Sequence, residues 1–149
     1  MFTRFATILI SGLVGTLGLS ADTHADTNGA GVTVKGYYPA DTACLQSWDY
    51  GAIRNMCPNS VSVFAVLSPP QGWARRTYVD LFGNNSSCET SSLGYLGLPI
   101  ERSSTAHSVS GPQSWQVLET GNRNVYASTP VMFSCQLEGG GVIGGFHVQ

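Results

Sequence analysis

The chain has 149 residues, of which 11% are charged, and its seven basic and nine acidic residues leave a net charge of −2 at pH 7. The charges are scattered, and Arg75 and Arg76 are the only adjacent basic pair. Nucleic acids and anionic membrane surfaces are bound by concentrated basic surfaces. The charge distribution therefore argues against both as partners, and the composition is typical of an extracellular β protein.

The N-terminus carries the pattern of a secretory signal peptide. Arg4 precedes an apolar run from Phe5 to Leu19 that is too short to cross a bilayer comfortably as a helix. Small residues upstream predict cleavage before Asp26, with cleavage after Ala21 or an uncut membrane anchor as alternatives. We expect a signal peptide at 1–25 and a single secreted domain at 26–149, extracellular or periplasmic and without membrane contact after cleavage.

The cysteines of the predicted domain are even in number, as expected of disulfides in an oxidising compartment. Of the possible pairings we favour two: the first would close a short polar loop, and the second would tie the central strands to the C-terminal strands. No CxxC spacing occurs, so the sequence predicts no zinc site. If all four cysteines are paired, no free thiol is left for catalysis. The predicted disulfides are Cys44 with Cys57 and Cys88 with Cys135.

The first strand signals follow a leader at 26–31 that we expect to be disordered. Val32 to Tyr38 is β-branched and aromatic, which predicts a strand that ends at Pro39. Residues 42–58 alternate poorly and are predicted to form a disulfide-closed loop that leads into a short strand at 52–55.

The next segment alternates more regularly. Ser60 to Leu67 has apolar residues on both faces, which predicts a central strand covered on both sides. The Pro- and Gly-containing run at 68–72 predicts a turn. We expect this turn to join the central strand in a hairpin to a strand over Thr77 to Phe82.

Shorter strand signals follow at 87–97, at 105–110 as an edge strand, and at Trp115 to Leu118 before a turn at Gly121 and Asn122. From Asn124 to Leu137 apolar and polar residues alternate, and Val142 to Val148 alternates again after three glycines. The end of the chain is therefore predicted to be a β-hairpin with Cys135 in its first arm.

No helical spacing is found beyond the signal peptide. The pattern predicts an all-β fold, a small β-sandwich of about seven to nine short antiparallel strands with two disulfides, and a partly open β-barrel is the alternative.

Several short motifs resemble small secreted bacterial disulfide-bonded β domains of unassigned function. The resemblance covers residues 43–149 and implies export and a β fold, but no activity and no functional residue. The motifs are GxxxN from Gly51 to Asn55, VDLFG from Val79 to Gly83 followed by Ser87-Cys88, Cys135-x-Leu137, and GVIGGFHV at the end.

The predicted domain offers little catalytic chemistry. It has two histidines, His107 in a Ser/Thr-rich loop and His147 on the outer side of the last strand, and it has no GxSxG motif. We predict no catalytic residue, no metal site and no cofactor, and we interpret Asp80 as a solvent-facing strand residue. A calcium loop is the weaker metal hypothesis, with oxygen ligands from Asp80, Asn84, Asn85 and Glu89.

Aromatic side chains give the sharper functional hypothesis. Trp48 and Tyr50 lie in the first disulfide loop, beside Tyr37 and Tyr38, and Trp73 is predicted to lie in a Pro/Gly turn. Exposed rings can serve as stacking platforms for sugars.

The sequence therefore predicts a non-enzymatic secreted binding or surface-associated β domain. Its predicted partner is an extracellular polysaccharide or a cell-envelope component, and its predicted ligand-binding residues are Trp48, Tyr50 and Trp73. A secreted hydrolase or a hydrolase inhibitor is the alternative. A cleft that holds a histidine beside a carboxylate would favour the enzyme, whereas exposed aromatic rings without such a cleft would favour the binder.

Overall fold

A computed structural model describes residues 27–83, 85–94, 96–103, 105–108, 114–126 and 129–149. The predicted signal peptide, Asn84 and Tyr95 lie outside these ranges. The described chain folds into two antiparallel sheets, and neither sheet closes on itself, so the β-sandwich prediction is confirmed. None of the helices in the described ranges is long and apolar enough to cross a membrane.

Six strands have seven residues or more, and six shorter strands extend the sheets. One short α-helix, α1 (Pro39–Ala43), lies between the second and third strands, and the described ranges also contain 3-10 turns at Gly31–Thr33 and Asp49–Gly51. The strands are β1 (Thr27–Ala30), β2 (Lys35–Gly36), β3 (Leu45–Ser47), β4 (Ile53–Asn55), β5 (Val61–Leu67), β6 (Gly72–Phe82), β7 (Ser87–Leu93), β8 (Pro99–Arg102), β9 (Ala106–His107), β10 (Trp115–Val125), β11 (Val131–Leu137) and β12 (Val142–Val148).

The first sheet has the strand order β10-β6-β12-β4-β3, and β1 also pairs with β12. The second sheet has the order β2-β5-β11-β7-β8, and β9 also pairs with β7. Alternate residues of β5 and β11 are buried between the sheets, as a period of two requires of a strand with one core face. Phe133 and Phe146 meet across this core with ring centroids 4.9 Å apart.

Both predicted disulfides are confirmed. Cys44 bonds to Cys57, and Cys88 bonds to Cys135. Cys88 and Cys135 are direct partners on the neighbouring strands β7 and β11 of the second sheet, and both are buried. This bond therefore links adjacent strands of one sheet and does not join a hairpin to a separate layer.

The predicted C-terminal hairpin is wrong, although both of its strands exist. β11 belongs to the second sheet and β12 to the first, so the reversal at 138–141 crosses from one sheet to the other. Gly140 has φ +81°, and a Cβ on Gly139 would lie 2.5 Å from the carbonyl oxygen of Pro58, so the reversal packs tightly on the chain before β5. The glycines predicted a turn correctly, but they do not indicate which sheet the following strand joins.

The predicted hairpin between 60–67 and 77–82 is wrong for the same reason, because β5 and β6 lie in different sheets. β6 begins at Gly72, so Trp73 lies in a strand and not in a turn. The outer side of β5 is covered only in part, because Tyr37 packs on Phe64 but Val66 is 47% exposed. The residues Gly121 and Asn122, predicted as a turn, lie at a register shift within the long strand β10.

The N-terminal predictions also need correction. Residues 27–30 of the expected disordered leader form β1, which pairs with β12. The expected strand at 32–38 is replaced by a 3-10 turn at Gly31–Thr33 and the two-residue strand β2. A Cβ on Gly31 would lie 2.0 Å from the carbonyl oxygen of Ile143, so the chain approaches β12 too closely there for any larger residue.

Candidate functional site

The outer side of the first sheet carries a continuous set of aromatic and polar side chains, which we call the aromatic face. Directly paired residues of neighbouring strands point to the same side of a sheet. Trp115 pairs with Phe82, and Val117 pairs with Asp80. Because Val79 and Leu81 point into the core, these four side chains point outward. The aromatic face comprises Tyr78, Asp80, Phe82, Trp115, Val117, Gly144 and His147, with Trp48 and Tyr50 at its margin.

Three rings form a cluster at one end of this face. The ring centroid of Phe82 lies 5.6 Å from that of Trp48 and 5.5 Å from that of Trp115, and the ring centroids of the two tryptophans are 6.4 Å apart. The guanidinium of Arg54 lies 5.8 Å from the centre of the Trp48 ring, a cation-π contact that holds this ring. Trp115 remains 53% exposed, so the cluster offers a ring to solvent.

Gly144 determines where the Trp115 ring can lie. A Cβ on Gly144 would come within 2.7 Å of Cζ3 and 2.9 Å of Cη2 of Trp115. The indole therefore lies directly against the backbone of β12, at a position where a side chain would displace it. The sequence pattern marked Gly144 only as part of an alternating strand.

Tyr50 projects from the margin of the face. It is fully exposed, and its φ of +57° is uncommon for a bulky residue. Gly51 follows with φ +79°, which completes the reversal between β3 and β4. This reversal positions the Tyr50 ring in solvent beside Trp115 and Val117, with which it lines a groove.

A polar group lies beside the rings. Nε2 of His147 is 2.7 Å from Oδ2 of Asp80, and Nδ1 of His147 is 2.8 Å from Oδ1 of Asn28. Since a carboxylate only accepts, the imidazole donates its Nε2–H to Asp80. β1 supplies Asn28 opposite His147, so the strand that was expected to be a disordered leader completes this group.

The aromatic face is grooved along its length. One groove of about 410 Å³ and an adjoining one of about 420 Å³ share Asp80 and Val117 in their walls. Their described linings include the carboxylates of Asp49 and Asp80 but no lysine or arginine. The first is lined by Asp49, Tyr50, Ala52, Asp80, Trp115, Gln116, Val117 and Gly144, and the second by Tyr78, Asp80, Val117, His147 and Gln149.

The structure brings two of the three predicted ligand-binding residues together and separates the third. Trp48 and Tyr50 border the aromatic face, whereas Trp73 lies at the other end of β6, about 30 Å along the strand from Phe82 at 3.3 Å per residue. Trp73 is 73% exposed and packs edge-on against Tyr126 at 5.8 Å.

The hydroxyl of Tyr126 donates to Glu101, which also accepts from the side chain and the backbone N–H of Asn124. The hydrogen bonds from Asn124 are the main reason that the pKa of Glu101 is lowered, and the bond to Glu101 raises the pKa of Tyr126. Trp73 therefore belongs to a separate polar-aromatic cluster.

The surroundings of the two histidines bear on the hypothesis that the domain is an enzyme. His147 does lie beside a carboxylate, but both of its ring nitrogens are within hydrogen-bond distance of other side chains, which leaves neither free to activate a hydroxyl nucleophile. His107 is exposed on β9, and among the described residues no carboxylate forms an ion pair with it. Asp80 lies on the outer side of β6, as predicted for a solvent-facing strand residue, and its carboxylate is also bound by His147.

The proposed calcium ligands do not converge. Asp80 lies on the outer side of the first sheet, and Glu89 lines a groove on the second sheet, so the two carboxylates face away from each other. Asn84 falls outside the described residues. Within the described ranges no cluster of three or more His, Cys, Asp or Glu side chains could hold a metal ion.

No protein-family model matches this chain, and no curated protein sequence matches it. Solved structures share its fold. The insecticidal crystal protein Cry2Aa matches 84% of this chain with a TM-score of 0.58 and 10% identity, and the GH26-CBM35 β-(1,4)-mannanase of Podospora anserina matches 85% with 0.54 and 10%. This chain spans only 21% and 28% of the lengths of those two proteins.

A third similar structure is a separate module. CsCBM6-3 from Clostridium stercorarium, solved in complex with cellobiose, matches 80% of this chain, and the match covers 90% of the module, with a TM-score of 0.53 and 16% identity. At such identities the likeness establishes the β-sandwich fold and leaves the ligand open.

Proposed function

We propose that this chain is a secreted carbohydrate-binding domain that holds a neutral polysaccharide against the aromatic face. The observation that carries the proposal is the continuous groove in which the exposed ring of Trp115 and the polar Asp80–His147–Asn28 group lie side by side. The fold shared with CsCBM6-3 is consistent with this function but does not identify a ligand.

The chemistry of the groove suits a pyranose ring. One side of a sugar ring presents C–H groups that stack on an indole, while its hydroxyls need donors and acceptors around the edge. Trp115 and Tyr50 supply the rings. Asp80 uses Oδ2 for His147, and its Oδ1 has no hydrogen bond to a described residue, so it is available to accept from a sugar hydroxyl.

The charges of the lining favour a neutral ligand. Asp49 and Asp80 would repel the carboxylates or sulfates of an acidic polysaccharide, and the described lining holds no lysine or arginine to attract them. We therefore expect binding to neutral glucans, xylans, mannans or galactans and not to polygalacturonate.

We also propose that the domain is exported, because it can bind an extracellular polysaccharide only outside the cell. The two disulfides are typical of secreted domains. Sequencing of the N-terminus after expression in a secreting host should find a start at or near Asp26, which retains β1. A soluble cytoplasmic product that keeps Met1 would contradict export.

Affinity electrophoresis through gels that contain single soluble polysaccharides tests the binding. The wild type should be retarded by at least one neutral polysaccharide, and Trp115→Ala should be retarded markedly less. Trp73→Ala is the matched control, because it removes another exposed tryptophan, at the far end of β6 from Phe82. Retardation that Trp73→Ala abolishes and Trp115→Ala preserves would overturn the proposal.

Hydrolysis of the bound glycan is a second candidate, because Asp49 and Asp80 line the same groove and glycosidases use two carboxylates. Reducing ends released by the wild type and not by Asp80→Asn would favour hydrolysis. Binding without any such release would favour a module that only binds.

A further inference from the structure

Besides the two grooves of the aromatic face, another groove lies on the opposite side of the molecule, on the outer side of the second sheet. We call it the second groove. Its volume is about 340 Å³. None of its residues lines the grooves of the aromatic face, and the two sheets of a sandwich are about 10 Å apart, so the two sites are separate. Its lining consists of Tyr37, Tyr38, Ser62, Ser87, Cys88, Glu89, Thr105, Ser134, Cys135 and Gln136.

Two adjacent tyrosines form the aromatic part of this groove. The hydroxyl of Tyr37 lies 3.2 Å from Oγ of Ser134, and its ring lies 5.1 Å from that of Phe64. The backbone N–H of Tyr37 donates to Ser62, which fixes the chain at the end of β2. Tyr38 follows and is 66% exposed, so one ring is anchored and the next is open to solvent.

Short polar side chains surround these rings. Nε2 of Gln136 donates to Oγ of Ser62 at 2.6 Å, which orients an amide across β5 and β11. Glu89 and Thr105 add a carboxylate and a hydroxyl to the lining. No lysine or arginine is present among the described lining residues, so this groove also disfavours an acidic polysaccharide.

We infer that this second groove, lined by Tyr37, Tyr38 and Gln136, is an independent binding site for a neutral polysaccharide, and that the domain is bivalent. The ligand class rests on the proposed function, whereas the location of the site does not. Because the two sites face in opposite directions, one domain can hold two polysaccharide chains. Such a domain cross-links soluble chains, and it binds an insoluble surface at a higher apparent affinity than either site alone.

Isothermal titration with a short neutral oligosaccharide tests the inference through its stoichiometry. The wild type should bind two molecules per chain. Trp115→Ala should retain only the second groove and bind one molecule. The double variant Tyr38→Ala with Gln136→Ala should retain only the aromatic face and should also bind one molecule. Trp73→Ala should still bind two. Unchanged circular dichroism and melting temperature would show that each variant is folded.

Cross-linking gives a second readout. Wild-type domain added to a soluble polysaccharide should raise turbidity or viscosity, and each single-site variant should fail to do so although it still binds. A wild-type stoichiometry of one that Trp115→Ala abolishes would overturn the second site and leave the proposed function standing.

A stoichiometry of one that only Tyr38→Ala with Gln136→Ala abolishes would overturn bivalency and the proposed aromatic face, with binding confined to the second groove. No binding to any neutral polysaccharide tested would overturn both proposals.

Discussion

His147 and Asp80 hold each other across the neighbouring strands β12 and β6, with Nε2 of the imidazole 2.7 Å from Oδ2 of the carboxylate. The bond engages Oδ2, and Oδ1 of Asp80 has no hydrogen bond to a described residue. In the proposed function Oδ1 of Asp80 would accept from a sugar hydroxyl, and His147 would position Asp80.

Asp80→Asn should weaken binding of a neutral oligosaccharide about tenfold, which corresponds to about 1.4 kcal/mol. The melting temperature should change little, since Asp80 is half-buried and the amide retains its size. Glu119→Gln is the matched control, because Glu119 is an outward carboxylate on β10 that lines neither groove. Equal Kd values for the two variants by isothermal titration would show that Asp80 does not contact the ligand.

Gly144→Ala should displace the Trp115 indole, because the added methyl group would meet Cζ3 at 2.7 Å. The expected result is a shifted tryptophan fluorescence spectrum and a loss of affinity close to that of Trp115→Ala. In a Trp115→Ala background the same substitution should have almost no further effect on affinity, since the clash is gone. Additive losses in this double-mutant cycle would mean that Gly144 acts independently of the ring.

The disulfides should differ in their contribution to stability. Replacing both Cys88 and Cys135 by alanine should lower the free energy of unfolding by about 2–5 kcal/mol. Replacing Cys44 and Cys57 should cost less, because that bond closes a sequence separation of 13 residues instead of 47 and frees the unfolded chain less. Denaturant unfolding measures both variants, and a larger loss from the Cys44–Cys57 pair would contradict this order.

Glu101 should make stability depend on pH. The side-chain and backbone donors of Asn124 lower the pKa of Glu101 below its ordinary value of 4.5, so the folded state favours the ionised form. This contribution is present above pH 4.5 and is lost as the pH falls through the lower pKa of the folded state. Glu101→Gln should therefore melt below the wild type at pH 7, and the difference should shrink as the pH falls below 4.5. A difference that stays constant from pH 7 to pH 3 would refute this role.

The sequence predicted the positions of the strands better than it predicted which strands pair. The alternation in 61–67 and 131–137 predicted β5 and β11, since a period of two reports which side chains point inward. It does not report whether the next turn stays in the sheet or crosses to the facing one. The reversal at 138–141 crosses, and the predicted hairpin failed there.

The candidate site could be predicted only in part. Trp48 and Tyr50 were selected as exposed aromatics near a disulfide, whereas Trp115 was recognised only as a strand residue. Its role depends on the register of β10 against β6 and on the absence of a side chain at Gly144, and neither follows from local pattern. The Asp80–His147 bond joins residues 67 positions apart, so it could not be read from their spacing.

The chain has three tryptophans, and their indole N–H signals provide the most direct test of binding at the aromatic face. In a ¹H–¹⁵N correlation spectrum each signal can be assigned from the variant that lacks that residue. Titration with a neutral oligosaccharide should shift the signals of Trp115 and Trp48 and leave that of Trp73 in place, because Trp73 lies at the far end of β6. A spectrum in which Trp73 shifts while Trp115 and Trp48 do not would contradict binding at the aromatic face.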